Sequence, residues 1–335
     1  MMRITKVEII PIKIPYREEI RDELIEANPK MGFAKTNIYK VFTDEGLIGI
    51  GEGQIDPEIP VNRYIGKQPF DFVKDDSSGS LLIAFYDLMG KSLGLPVYKL
   101  LGTPYRDKIS IVYWSHSFTP ELLASEARKA LQMGFKVHKI KARPFRDTVS
   151  QVSAIAQVVP SDYRIIIDAN ETFGTIADTM RIIGEYRNVP QVWMLEEPIP
   201  TCNPADYRAL RKKIAYPLAI HAKNKCASLG LGTCDAVVIE KMPLGRSVEK
   251  TAAVAEQMGR TIWLEYGLFT NVSAAFQLHQ AAVISNVELC ITLTFISEDN
   301  ITTDSMVVQN GKVEVPQKPG LGIDLNEDSV EKYRI

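Results

Sequence analysis

Cysteine is scarce in this chain: four residues in 335, with no C-x-x-C pair among Cys202, Cys226, Cys234 and Cys290. That spacing speaks against a zinc knuckle and indicates no disulfide framework. No apolar run approaches the roughly 20 residues needed to cross a bilayer. No block of like charge forms a tail, and the formal net charge is only -2. A basic field for nucleic acid or an anionic membrane is therefore absent. The first six residues lack the charged and apolar regions of a signal peptide, so the expected location is cytoplasmic.

What is present is ordinary for a soluble globular protein, with 45% hydrophobic and 24% charged residues. The length fits a barrel plus a smaller domain better than a single small core. In the first part, 4–10, 37–43 and 47–51 read as strands, the last two turned at Asp44-Glu45-Gly46. The charged stretch 16–33 reads as a mobile loop. An amphipathic helix over 81–93 is closed by Gly94 and Pro96. These elements predict an α+β domain over 1–107.

From residue 108 the pattern changes to alternating strand and helix. Short apolar runs lie at 109–114, 136–141, 163–168, 191–196, 217–221, 235–240, 260–265 and 287–291. Helical stretches such as 120–133, 247–258 and 271–282 separate them. Eight βα-sized units predict an α/β fold of the closed (β/α) barrel type over 108–296. A doubly wound open sheet is the alternative, but no G-x-G-x-x-G follows the first strand of this region. A hairpin over 306–315, turned at Asn310-Gly311, is expected to return to the first domain, so that 297–335 complete it.

In a barrel, function gathers at the carboxyl ends of the strands. Here those ends carry ionisable groups in succession: Lys139 and Lys141, Asp168 with Asn170, Glu196 and Glu197, His221 with Lys223, Glu240 and Lys241, and Glu265. Strand ends are often polar simply because they are wet, but six neighbouring strands must bring these groups together. Residues i and i+2 of a strand point the same way, so Lys139 and Lys141 stand side by side. Repulsion between two ammonium groups eases the loss of one proton, which suits a lysine base acting on carbon. Asp168 and Glu196, on adjacent strands, suit a hard cation such as Mg²⁺. Alternatively, the acids neutralise the lysines as an ion-pair network.

Several motifs then fall in a telling order. They are Thr43-Asp44-Glu45-Gly46-Leu47-Ile48-Gly49-Ile50-Gly51-Glu52, the run 86–96 continuing to Leu100-Leu101-Gly102, Lys139-Ile140-Lys141, Asp168-Ala169-Asn170, Leu195-Glu196-Glu197-Pro198 and Pro319-Gly320-Leu321-Gly322-Ile323. On these the chain resembles the enolase superfamily, in its mandelate racemase and muconate-lactonizing branch, over nearly its whole length. The resemblance implies a TIM-type barrel in the modified (β/α)7β form with an α+β capping domain. It implies a small carboxylate substrate, a divalent metal (Mg²⁺), proton transfer at the α-carbon through an enolate-like intermediate, and a homo-oligomer. It implies Lys141 as base, Lys139 as its tuning neighbour, and Asp168 and Glu196 as metal ligands beside Asn170. It also implies that 16–33 and the turn after Gly51-Glu52-Gly53 lie over the barrel mouth.

The sequence departs from that pattern at two strands. The family's third metal ligand is an acid at the end of the fifth strand, where this chain has His221-Ala222. Its second lysine ends the sixth strand, where this chain has Glu240, with Lys241 one step out of phase. The candidate site is therefore Lys141, Lys139, Glu240 and Glu265 for catalysis, Asn170 and Lys223 for substrate, and Asp168, Glu196 and His221 for metal. Weak Mg²⁺ binding is expected, because His221 offers a nitrogen better suited to zinc, manganese or iron. Lys223, two residues beyond His221, is expected to neutralise Asp168 and Glu196 in the cation's place. Authentic muconate cycloisomerase activity is not expected. The alternatives are an enzyme with altered acid–base chemistry and a non-catalytic ligand-binding descendant.

Overall fold

The computed structural model describes residues 2–29, 31–53, 60–240, 245–265 and 270–335, apart from the Cys226 side chain. Three antiparallel strands, β1 (Ile4–Pro15), β2 (Phe33–Thr43) and β3 (Ile48–Gly53), form a first sheet in the order β1-β2-β3. Ile10, Ile12 and Ile14 alternate into its core. The stretch expected as a loop contains a helix instead, α1 (Glu18–Ala27). Its buried side is a thin stripe, Ile20 and Leu24, continued four residues earlier by Tyr16 just before the helix, all three wholly buried. Charge on the other faces hides that stripe in the sequence.

Helix α2 (Leu81–Leu93) lies directly on β3. A Cβ on Gly49 would stand 2.3 Å from the Ala84 carbonyl oxygen, so only glycine allows the helix this close. The helix ends at Gly94, which takes the left-handed conformation of a C-cap. A short helix, α3 (Tyr98–Leu101), leads into the barrel.

The barrel strands are β4 (Lys108–Ser115), β5 (Val137–Lys141), β6 (Arg164–Asp168), β7 (Val192–Glu196), β8 (Leu218–His221), β9 (Ala236–Glu240), β10 (Thr261–Glu265) and β11 (Val287–Ile291). Between them run α4 (Pro120–Gln132), α5 (Thr148–Ala156), α6 (Ile176–Glu185), α7 (Pro204–Arg211), the single-turn α8 (Lys225–Ser228), α9 (Arg246–Gln257) and α10 (Asn271–Val283). The strands are parallel and ordered as in the chain, and β11 pairs back to β4, which closes the sheet. Near-continuous apolar runs are required because both faces of each strand are covered. Among the described residues, seven helices and a last strand without its own helix make the (β/α)7β form.

The tail corrects one expectation. Asn310 and Gly311 take positive φ values of 50° and 74°, and Gln309 bridges Lys312, as a two-residue hairpin turn requires. The strand that follows, β12 (Lys312–Glu314), nevertheless joins the barrel, pairing antiparallel with Lys108–Ser110 of β4. Those residues precede the pairing of β4 with β5 and β11, so their edge is otherwise bare. The tail touches the first sheet on either side of β12, first where the Glu298 N–H bonds the Pro15 carbonyl at 2.9 Å, then through α11 (Glu327–Tyr333) and the bridge of Arg334 to Ile12. No helix among the described residues is long and apolar enough to cross a membrane.

Candidate active site

Six consecutive barrel strands end on an ionisable residue: Lys141 on β5, Asp168 on β6, Glu196 on β7, His221 on β8, Glu240 on β9 and Glu265 on β10. The register carries Lys141 beside Asp168, Asp168 beside Glu196, and Glu240 beside Glu265. Paired residues of parallel strands face the same side, so the side chains converge at the mouth.

The convergence is an ion-pair network. The Lys139 ammonium is fully enclosed and lies 3.0 Å from Asp168 Oδ2, 2.8 Å from Glu196 Oε2 and 2.8 Å from Glu265 Oε2. Lys141, two residues nearer the mouth, also bonds Asp168 Oδ2, and its Nζ is 3.2 Å from Asn170 Oδ1. The two ammonium groups thus share a carboxylate rather than facing each other bare. His221 places Nε2 3.3 Å from Glu196 Oε1 and Nδ1 3.0 Å from Glu197 Oε2.

Electrostatics follow this geometry. Burial alone would destabilise the Lys139 ammonium, yet Asp168, Glu196 and Glu265 raise its pKa well above the usual lysine value. Asp168 is held well below the carboxylate range, because Lys139, Lys141 and His221 outweigh its burial. Burial pushes Glu196 up to about 8, aided by Asp168 and opposed by Lys139 and His221. Burial opposes the His221 imidazolium, but Glu197 and Glu196 raise it to about 9.

The backbone under these groups is unusual. Asn170, Glu171 and Glu197 all take positive φ, at 42°, 68° and 40°. Left-handed backbone at non-glycine residues is strained, and it concentrates here at the ends of β6 and β7. Local bonds hold it, among them Asn170 N–H to Asp168 Oδ1 at 3.0 Å and Glu171 N–H to the Glu197 carbonyl at 2.6 Å.

Glu196, His221 and Glu265 each offer one ligand atom within 4.8 Å of the others, a buried set of the kind that can hold a metal ion. Mg²⁺ asks for more, namely a near-octahedral shell of oxygens at about 2.0–2.1 Å. The arrangement does not fit that shell. The Lys139 ammonium already sits among the three carboxylates, the fifth strand supplies no acid, and both His221 nitrogens face carboxylate oxygens as donors would.

One sequence expectation fails here. Lys223 does not reach Asp168 or Glu196; its side chain is 62% exposed and pairs with Glu240 at 3.0 Å. It belongs to the turn after β8, where the strand's alternation no longer governs direction. Glu240 stands at the rim, 3.8 Å from His221 Nε2, apart from the inner cluster. Lys241 and the turn after Gly53 lie outside the described residues.

Two residues at the mouth were missed by sequence reasoning. Arg143 donates from Nη2 to Asn170 Oδ1 at 2.6 Å. The signal was available, since Arg143 continues the Lys139, Lys141 alternation by one more step. His116, just past β4, accepts the Ser117 N–H at Nδ1 over 2.7 Å. Burial, then Arg143 and Lys141, lower its pKa to about 3, so its ring is neutral. A cavity of about 420 Å³ between α10 and the tail shares no residue with this cluster.

Comparison with known proteins agrees with the architecture. A family model described as enolase C-terminal domain-like matches residues 122–329. The chain is 25% identical over 373 residues to the N-succinyl-L-Arg/Lys racemase of Bacillus cereus, covering 100% of this chain and 98% of the relative. It is 28% identical over 269 residues to the arabinonate dehydratase of Saccharolobus solfataricus, covering 75% and 70%. The crystal structure of 2-chloromuconate cycloisomerase from Rhodococcus opacus superposes with a TM-score of 0.82 at 19% identity over 100% of both chains, a likeness of fold. With the family model matching well over half of its length, the chain belongs to the enolase superfamily, in its mandelate racemase and muconate-lactonizing branch, and is an enzyme of the isomerase or lyase type.

Proposed function

We propose that the protein moves a proton at the carbon next to the carboxylate of a small carboxylic acid, with Lys141 as the base. The outcome is racemisation, epimerisation, elimination or cycloisomerisation. The observation that carries this reading is the unequal exposure of the two lysines. Lys139 is sealed among protein carboxylates, whereas the Lys141 side chain is 14% exposed on the mouth side of the same cluster. Of these two lysines only Lys141 can meet a substrate, and its partners Asp168 and Asn170 fix its direction. In the enolase superfamily a lysine or histidine base works beside a stabilised ene-diolate, which is the part this reading gives to Lys141.

In this reading Lys139 supplies the fixed positive charge at the base of the site, the part the sequence suggested for Lys223. Mg²⁺ then binds weakly, and no step is routed through it. Titration calorimetry tests this: submillimolar Mg²⁺ affinity in the wild type refutes it. The base assignment is tested in deuterated solvent. Lys141→Met should abolish exchange of the α-proton of a bound carboxylate, and exchange at the wild-type rate sinks the assignment. The homo-oligomer expected from the resemblance is tested by sedimentation, where a clean monomer at micromolar concentration counts against it.

A further inference from the structure

We infer that Arg143 is the anchor for the substrate carboxylate, so that Lys139, Lys141 and Arg143 serve in turn the protein's own acids, the migrating proton and the substrate. The inference rests on the reading of Lys141 as base and goes beyond it by assigning the binding group.

The geometry carries it in three steps. First, the Arg143 guanidinium and Lys141 Nζ meet on one atom, Asn170 Oδ1, at 2.6 and 3.2 Å. The guanidinium is therefore at the mouth and next to the base. Second, its acceptors are neutral: the Asn170 amide oxygen, and the Ala142 carbonyl oxygen at 2.9 Å from Nη1. No carboxylate among the described residues forms an ion pair with it. Its neighbour Arg146 behaves otherwise, pairing with Glu26 at 3.0 Å, and Arg17 pairs with Glu126. Third, Arg143 is half-buried, which costs a guanidinium hydration, and the Asp168 charge acts on it without an ion-pair contact.

A guanidinium has five N–H donors in a planar fork that matches the two oxygens of a carboxylate. Two are used here, and three remain. With the substrate carboxylate on that fork, the adjacent C–H lies within reach of Lys141. The free amine of Lys141 takes the proton and becomes ammonium, and the C–H electron pair becomes the C=C bond of an enediolate. The second negative charge of that enediolate builds on oxygens already bonded to Arg143, so the contact strengthens as the reaction proceeds.

The test reads binding rather than turnover. Succinate, lactate and N-acetylalanine are titrated calorimetrically into the wild type, Arg143→Gln, Arg143→Lys and Lys141→Met. At least one probe should bind the wild type. Arg143→Gln should weaken it by at least about 30-fold, the loss typical when one partner of a buried charge pair is removed. Arg143→Lys should restore only part, because an ammonium lacks the fork. Lys141→Met should lose less affinity than Arg143→Gln while losing α-proton exchange, so failure of the base reading and failure of the anchor are distinguishable. Should Arg143→Gln not fold, the wild type still decides: the bound probe should slow phenylglyoxal modification of Arg143, read by peptide mass. Wild-type affinity in Arg143→Gln, unprotected Arg143, or no binding of any probe overturns the inference.

Discussion

Two regions of this protein bury carboxylates, and they satisfy them differently. Where the first sheet meets the barrel and the tail, the donors are mainly backbone. Glu52 accepts the N–H groups of Thr270 and Ser273 at 2.7 and 2.9 Å, at the start of α10. Asp87 accepts those of Ile50 and Leu321, both at 2.8 Å, with Lys91 beside it. Burial raises the pKa of both. At the mouth, Asp168, Glu196 and Glu265 depend on the ends of long side chains. Backbone donors are fixed by the fold, so the first arrangement can only hold parts together. Ammonium and guanidinium groups can change partners when a ligand arrives, so the second can work.

The comparison breaks most readily at Lys139. Lys139→Met leaves three buried carboxyl groups without their shared cation and should cost about 3–5 kcal/mol in chemical denaturation. The same vacancy should create a site for a divalent ion, so millimolar Mg²⁺ should restore stability to the variant and leave the wild type unchanged. A wild type that Mg²⁺ stabilises would mean that Lys139 withdraws for the metal, and the mouth would then be a metal centre after all.

Much of this was legible in the sequence because barrel geometry repeats. Each strand is an apolar run ending where hydrophobicity stops, and the last residue of six of them is a member of the site. The resemblance motifs supplied the order, and alternation at i and i+2 placed Lys139 and Lys141 together. The failures at the mouth have one cause, which is that periodicity ends where a strand ends. Lys223 and Arg143 both lie two residues past a final strand residue. Lys223 turns out into solvent, while Arg143 is kept at the mouth by Asn170. Helix α1 was hidden by charge, and β12 answered a bare edge on β4 that no local pattern announces.

The seam between barrel and tail gives the second prediction, a pH dependence that should be independent of the mouth. His279 on α10 accepts the Tyr98 N–H at Nδ1 over 3.3 Å and faces the Leu321 carbonyl with Nε2 at 3.1 Å. Those partners suit a neutral ring, and burial lowers its pKa to about 4. The unfolded chain takes up this proton near pH 6.5, whereas the native state refuses it until about pH 4. Stability should therefore fall as the pH drops through that window, with a loss of order 3 kcal/mol from this residue once pH 4 is reached. His279→Gln should flatten the profile relative to the wild type. Parallel profiles between pH 6.5 and 4.5 would place the acid sensitivity elsewhere.

The smallest expected effect is at Lys223, and it is the sharpest control on the whole contrast. Lys223 and Lys139 are the same residue type on the same end of the barrel, and each bonds a carboxylate about 3 Å away. Bond length alone would rank them alike. Their surroundings do not: Glu240 and Lys223 sit in water, where a single pair contributes about 0–1 kcal/mol and is screened by salt, whereas Lys139 is sealed from solvent. Lys223→Ser should therefore change stability by less than about 1 kcal/mol, and added salt at about 0.5 M should shrink even that difference. The same salt should leave most of the Lys139→Met penalty in place, because ions cannot screen a pair they cannot reach. If Lys223→Ser costs as much as Lys139→Met, the distinction between sealed and open cations is wrong, and Lys223 would have to be returned to the interior where the sequence first put it.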